Sequence, residues 1–215
     1  DLTVRTHNPI VRDEHYYIVQ DFVPEDTIDY FGRISAHNQI RSFFPNLIIN
    51  SDPTDLFLLD FVKKAALSVT NTHKKGVLNR DIKPGNFLVY PNGRVILIDF
   101  GYAKHTGREL YCEEDIENLP GTLDFMAPEI FLHGVYSESS EAYAFGQTTL
   151  RAIALMDSRV YLEATDKRKI WDCGNKFEEY IKDKNRANIR TVEKVFSKNK
   201  IVRKITDIVS RCIDA

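Results

Sequence analysis

The sequence predicts an α+β fold that is mostly α. Three observations lead there. Apolar residues recur at helical spacing over 53–72, and helical patterns return over 140–156 and 201–212. Two short apolar runs, 86–90 and 94–98, flank Pro91-Asn92-Gly93, and Asn-Gly between apolar runs is a strong hairpin signal. Residues 16–23 (YYIVQDFV) are aromatic and β-branched, as a buried strand is. The chain has 215 residues, 43% of them hydrophobic, which suffices for one core of ordinary size or two small ones.

Taken in order, the strand over 16–23 is ended by Pro24-Glu25-Asp26. An irregular stretch follows, broken at Gly32, Pro45 and Pro53. The next helix carries Leu58, Phe61, Val62, Ala65 and Val69 on one side. Thr54 or Asp55 is expected to cap it, and Gly76 to end it, with Lys74 and Lys75 suiting its negative end. The hairpin comes next. Residues 101–121 are polar, with acidic Glu113-Glu114-Asp115, and predict an exposed loop. A helical pattern resumes after Pro128, and the helix over 140–156 is the most apolar of the chain. The remainder is charged and helical, ending in the amphipathic Ile201, Val202, Ile205, Ile208, Val209 and Cys212.

Several function classes are excluded by composition. A net charge of −2 is too balanced for a nucleic-acid footprint. No apolar run approaches the ~20 residues that span a bilayer, so no membrane partner is expected. Cys112, Cys173 and Cys212 are odd in number and widely spaced, against a disulfide framework or a zinc site. They fit a reducing, intracellular compartment, cytoplasm or nucleus. The first residues carry neither an initiator Met nor the apolar run of a signal peptide, so the N-terminus is expected to be processed or cut.

The chemistry-bearing residues fall in three spaced groups. Asn79-Arg80-Asp81-Ile82-Lys83-Pro84-Gly85-Asn86 comes first, Asp99-Phe100-Gly101 second, and Ala127-Pro128-Glu129 third. Each alone reads as a turn or a strand end. Together their spacing is specific: thirteen positions from Asn86 to Asp99 with a hairpin between, and thirty from Asp99 to Glu129. In that order they resemble the catalytic loop, the metal-binding D-F-G and the A-P-E of serine/threonine protein kinases. The resemblance covers residues 16–215. It implies a protein-kinase-like C-lobe over 24–215, truncated near its last helices, with 1–23 as the hinge strand and a remnant of the N-lobe sheet.

That resemblance implies roles residue by residue. Asp81 would receive the substrate hydroxyl and its proton, Lys83 would steady the γ-phosphate of ATP, and Thr122 would bridge the two. Asn86 and Asp99 would hold Mg²⁺. Gln20, Asp21, Phe22 and Val23 would form the gatekeeper and hinge, with Leu88 and Ile98 completing the ATP pocket; a core leucine is the plainer account of Leu88. In the activation segment Arg80 would pair with a phosphorylated residue or with acids, Thr106 and Tyr111 are candidate phosphosites, and Phe100, Gly101 and Glu129 frame the segment. Glu113, Glu114 and Asp115 would supply built-in negative charge, unless they are only a solvated loop.

Departures accompany the match. Asn79 stands where the family has His, which is expected to weaken the packing beneath Phe100. Glu141 stands where the family has an Asp that holds the catalytic loop's backbone. There is no G-x-G anywhere, and the first lysine is Lys63. The expected function is therefore a serine/threonine kinase catalytic region acting on a protein substrate. The alternative is a non-catalytic kinase-like module, a decoy or pseudokinase, that binds another kinase or a regulatory protein.

Overall fold

The computed structural model describes residues 10–12, 15–17, 53–89, 94–173 and 176–213. It is mostly helical with small two-stranded sheets, as the pattern predicts. Strands β1 (Ile10–Arg12) and β2 (His15–Tyr17) pair antiparallel, with Ile10 opposite Tyr17. The rest of the strand expected to Val23 lies outside the described residues.

Helix α1 (Pro53–His73) forms on the predicted apolar stripe, and Leu58, Phe61, Ala65 and Val69 are buried. Proline suits its first position, where a missing N–H costs nothing. Thr54 and Asp55 thus fall inside the first turn, and Asp55 accepts from Asn199 Nδ2 at 2.6 Å. A turn through Gly76 leads to β3 (Val77–Leu78) and a loop closing in a 3₁₀ turn over Pro84–Asn86.

The predicted hairpin is β4 (Phe87–Val89) against β5 (Val95–Leu97), with Leu88 opposite Ile96. Its residues at 91–93 lie outside the described part. Phe87, Val89, Val95 and Leu97 join the main core, and Phe61 of α1 meets Phe87 edge-on with centroids 6.0 Å apart. Strand alternation sends Leu88 and Ile96 to the opposite face, where they are still 6% and 1% exposed.

Residues 101–121 are more ordered than a plain exposed loop. Strand β6 (Lys104–His105) pairs with β3, and β7 (Tyr111–Glu113) pairs with β8 (Val135–Ser137). Strands of two and three residues are too short to print a readable alternation. Between them lies α2 (Pro128–His133), ended by Gly134 at φ 65°.

Helix α3 (Glu138–Met156) starts two residues before the expected Ser140. Ser137 and Ser140 form a reciprocal capping box, and it fixes the start. It packs against α1, α5 (Phe177–Val195) and α6 (Lys200–Ile213), with α4 (Lys167–Asp172) between α3 and α5 in the chain. At the α3–α6 crossing a Cβ on Gly146 would lie 2.7 Å from Ile213 Cγ2 and 3.1 Å from Cys212 Cβ, so the close approach depends on glycine.

Candidate active site

The loop between β3 and β4 gathers the first motif. Lys83 is extended, as a residue before proline is held to be, and Pro84 opens the 3₁₀ turn that ends on Asn86. This aims three side chains at one point. Asp81 is 5% exposed. Its Oδ1 accepts from Thr122 Oγ1 at 2.6 Å, and its Oδ2 from Lys83 Nζ at 2.8 Å and Asn86 Nδ2 at 3.2 Å. Lys83 Nζ also donates to Thr122 Oγ1 at 3.0 Å. An ionised carboxylate offers about four lone-pair sites. Three are taken, so one acceptor position on Asp81 stays available.

Two anchors fix this loop. Asn79, fully buried, donates from Nδ2 to the Asp99 carbonyl at 3.0 Å and accepts the Asp81 amide at 3.1 Å. Where a weakened packing column is expected, the asparagine forms a polar bridge between the two motifs. Glu141 of α3 accepts the Arg80 amide at 2.6 Å, and its other oxygen meets His73 Nε2 at 2.6 Å. The longer arm of Glu therefore still holds the loop backbone. Burial pulls the His73 imidazole down, but Glu141 and Glu138 outweigh it and leave its pKa above the ordinary value. Arg80 and Asp99 both have left-handed backbones, at φ 67° and 59°. Such residues cost of order 1–3 kcal/mol and persist where surroundings over-determine them. Here a side-chain bond grips each one. Gly121, at φ 118°, lets the chain pass close beneath: a Cβ there would lie 2.6 Å from the Arg80 carbonyl oxygen.

The Arg80 side chain reaches outward. It donates from Nε to the Tyr102 carbonyl and from Nη1 to Glu114 Oε1, both at 2.5 Å, and lies 5.5 Å from the Tyr136 ring centre. Lys104 binds the same Glu114 oxygen at 2.8 Å. Lys104 and Arg80 together hold the Glu114 carboxyl below its usual range, against burial. Among the three loop acids, Glu114 is thus the one on Arg80. Glu113 accepts instead from the Tyr111 hydroxyl at 2.5 Å, a bond that raises the phenol pKa.

The remaining predicted residues divide. Gln20, Asp21, Phe22 and Val23 lie outside the described residues. Leu88 is on the hairpin face away from the core, and Ile98 is half-buried with its amide on Asn86 O at 2.8 Å. Phe100 packs partly buried against the core, and Gly101 is exposed with its amide on Asp99 Oδ1 at 3.2 Å. Thr106 is tied to the Gly76 carbonyl by its amide at 2.8 Å. Tyr111 is exposed. Glu129 lies half-buried in α2, outside the hydrogen bonds of the Asp81 cluster, and burial raises its pKa. Sequence reasoning missed Tyr136, whose hydroxyl donates to the Pro120 carbonyl at 2.5 Å and whose ring backs Arg80. No motif marks it; only the β7–β8 pairing brings it there.

Asn86 and Asp99 suit a hard divalent cation. The Asn86 amide nitrogen is spent on Asp81, at its carbonyl (2.8 Å) and carboxylate, which leaves the carbonyl oxygen Oδ1 as the atom of this side chain that can ligate. Asp99 is exposed, with Oδ2 beyond its bond to Gly101. The Ile98–Asn86 bond sets the two residues across the hairpin from each other. Neutral and charged oxygens of this kind are what Mg²⁺ accepts, alongside water or phosphate.

A protein named "Probable serine/threonine-protein kinase" in Dictyostelium discoideum is 26% identical over 154 residues, covering 68% of this chain and 30% of that protein. Ribosomal protein S6 kinase alpha-6 of Mus musculus is 25% identical over 154 residues, covering 68% of this chain and 18% of that protein. Serine/threonine-protein kinase PknD of Chlamydia trachomatis is 35% identical over 154 residues, covering 60% and 16%. The chain matches less than a third of the length of each of these relatives. The family model described as the protein kinase domain matches residues 3–215. With a mostly helical C-lobe architecture and three motifs in order, this chain belongs to the protein kinase domain family.

Proposed function

We propose that this chain is the catalytic region of a serine/threonine protein kinase, transferring the γ-phosphate of ATP to a serine or threonine hydroxyl of a protein substrate. The observation that carries the reading is the closed Asp81–Lys83–Thr122 triangle, with one acceptor position left on Asp81. That position would receive the substrate O–H and, as the new P–O bond forms, its proton. An ammonium has three donors. Lys83 uses two, on Asp81 and Thr122, and the third would meet a phosphoryl oxygen. Asn86 and Asp99 would hold Mg²⁺, which when bound offsets the charge of the nucleotide phosphates. Leu88 and Ile98 would lie against the adenine, Gln20 to Val23 would form the gatekeeper and hinge, and residues 24–215 would be the C-lobe. Glu114 supports the built-in-charge reading of the activation segment, since it already occupies Arg80. A protein substrate and an intracellular site belong to the same reading. Among the described residues no helix is long and apolar enough to cross a membrane.

The test uses the full-length protein and a mixture of serine and threonine peptides. Asp81→Asn should lower transfer by about 10²–10⁴-fold while leaving ATP binding intact, because it removes the group that receives the hydroxyl. Asp99→Asn should weaken both. Unchanged turnover in Asp81→Asn sinks the mechanism. ATP binding without any transfer by the wild type would favour the non-catalytic module instead.

A further inference from the structure

Lys184 is 4% exposed, on the inner face of α5, and among the described residues its ammonium makes no salt bridge. Its partner is neutral: Nζ donates to Thr165 Oγ1 at 2.7 Å. A buried amine without a paired carboxylate is costly, and an apolar side chain of like volume would pack there more cheaply. Nothing in the phosphotransfer chemistry uses it. What it touches explains its place.

Three residues of α5, spaced four apart and so on one stripe, grip residues 163–166. The Tyr180 hydroxyl accepts the Asp166 amide at 3.2 Å. Lys184 takes Thr165. Asn188 accepts the Glu163 amide at 2.8 Å and donates to its carbonyl at 3.2 Å. The held segment then grips the candidate site: the Thr165 amide donates to Asp124 Oδ1 at 2.7 Å. Asp124 lies in the short turn Leu123–Phe125, which starts at Thr122 through the Phe125 amide on the Thr122 carbonyl at 3.0 Å. Thr122 is the residue on Asp81. Around the lysine, Asp124 and Glu163 favour its charge, while burial and Arg151 of α3 oppose it. Arg151 also flanks Asp124, at 3.7 Å.

We infer that Lys184 is a positioning residue for the acceptor side of the candidate site, setting through Thr165 and Asp124 the turn that carries Thr122. It rests on the phosphotransfer reading and gives that site a support 55 positions along the chain from the nearest motif residue, Glu129. A polar link is justified where position matters, since three directional bonds fix the turn as apolar packing would not.

The test compares Lys184→Met, which keeps the stem and drops the ammonium, with Thr165→Val and Thr165→Ser in the full-length protein. One readout is steady-state kinetics with a serine/threonine peptide mixture and ATP. The other is amide hydrogen exchange at residues 122–126 and 165. Losing one bond of about 1.4 kcal/mol is worth about tenfold. So Lys184→Met and Thr165→Val should raise the peptide KM about tenfold, with the ATP KM and the peptide kcat little changed. Exchange at 122–126 and 165 should quicken by a like factor, with α1 and the middle of α3 unchanged. Thr165→Ser, which keeps the hydroxyl, should behave as wild type. Unchanged exchange at 122–126 in Lys184→Met overturns the inference. So does faster exchange spread evenly over α3 and α5, which is mere loss of stability. Localised exchange effects in a wild type that transfers no phosphate would leave the positioning chain standing and reject the phosphotransfer reading instead.

Discussion

Replacing Glu141 by glutamine removes one charge and keeps the shape, so it isolates what the carboxylate does behind the 79–86 loop. Glu141 is 2% exposed, with one oxygen on the Arg80 amide and one on His73 Nε2. Glutamine can keep its carbonyl oxygen on Arg80. Its amide nitrogen can meet His73 only as a neutral imidazole with Nε2 accepting. A charge-assisted bond of about 1.5–3 kcal/mol is thus exchanged for a neutral one of about 0.5–1.5 kcal/mol. The net loss is about 1–2 kcal/mol, or a Tm lowered by about 2–8 °C for a domain of this size. The sign with pH follows from His73. Its folded pKa lies above the unfolded 6.5, because Glu141 and Glu138 outweigh burial. The pair's contribution is therefore fully present below 6.5 and lost as pH rises through the folded value. The deficit of Glu141→Gln should be largest at acid pH and shrink on the alkaline side. Urea unfolding on either side of neutrality, with NMR titration of the His73 ring, measures both. A wild-type His73 titrating below 6.5, or an equal deficit at both pH values, would refute the reasoning.

Two further outcomes bear on the backbone and on the buried amine. Gly121→Ala forces a side chain into φ 118° and to 2.6 Å from the Arg80 carbonyl oxygen, so it should destabilise by at least about 1–3 kcal/mol in denaturant unfolding; an unchanged midpoint would show that the crossing can open freely. Burial lowers the Lys184 pKa to about 8 from 10.5, so the unfolded chain binds more protons between those values. Stability should rise with pH across that window by on the order of 3 kcal/mol from this group alone, and the rise should vanish in Lys184→Met.

Much of the candidate site was legible because its residues lie close in sequence. Asp81, Lys83 and Asn86 share one loop, and Pro84 and Asn86 signal its turn. Asp99 was legible as part of Asp99-Phe100-Gly101, and the Asn92-Gly93 hairpin, which predicts that the chain doubles back, was the signal that brings it to the loop. What stayed hidden depends on pairings too short or too distant to leave a period. The three residues of β7 put Cys112 inward and Tyr111 and Glu113 outward, so Glu114 is the acid that turns to Arg80, a choice among neighbours that composition cannot make. Ser137 shifted the start of α3 by a cap rather than by apolar pattern. Lys184 looked like one more charge on a charged helix. Its burial follows from Phe177, Ile181 and Val192 setting which side of α5 faces inward.

The two supports of the 79–86 loop differ in what they can sense. The Asn79 bridge to the Asp99 carbonyl is an amide, which carries no proton to gain or lose at any physiological pH. The Glu141 support carries on its other oxygen an imidazole that does, His73 of α1. Acidification therefore tightens the tie of α1 to α3 behind the loop, while the Arg80 amide on Glu141 and the Asn79 bridge to Asp99 rest on groups that do not take up that proton. A histidine in place of Asn79 would have made both connections titrate together. With asparagine there, the bridge that links the 79–86 loop to Asp99 has no proton of its own to exchange, and the imidazole sits one step further back, between the two helices behind the loop.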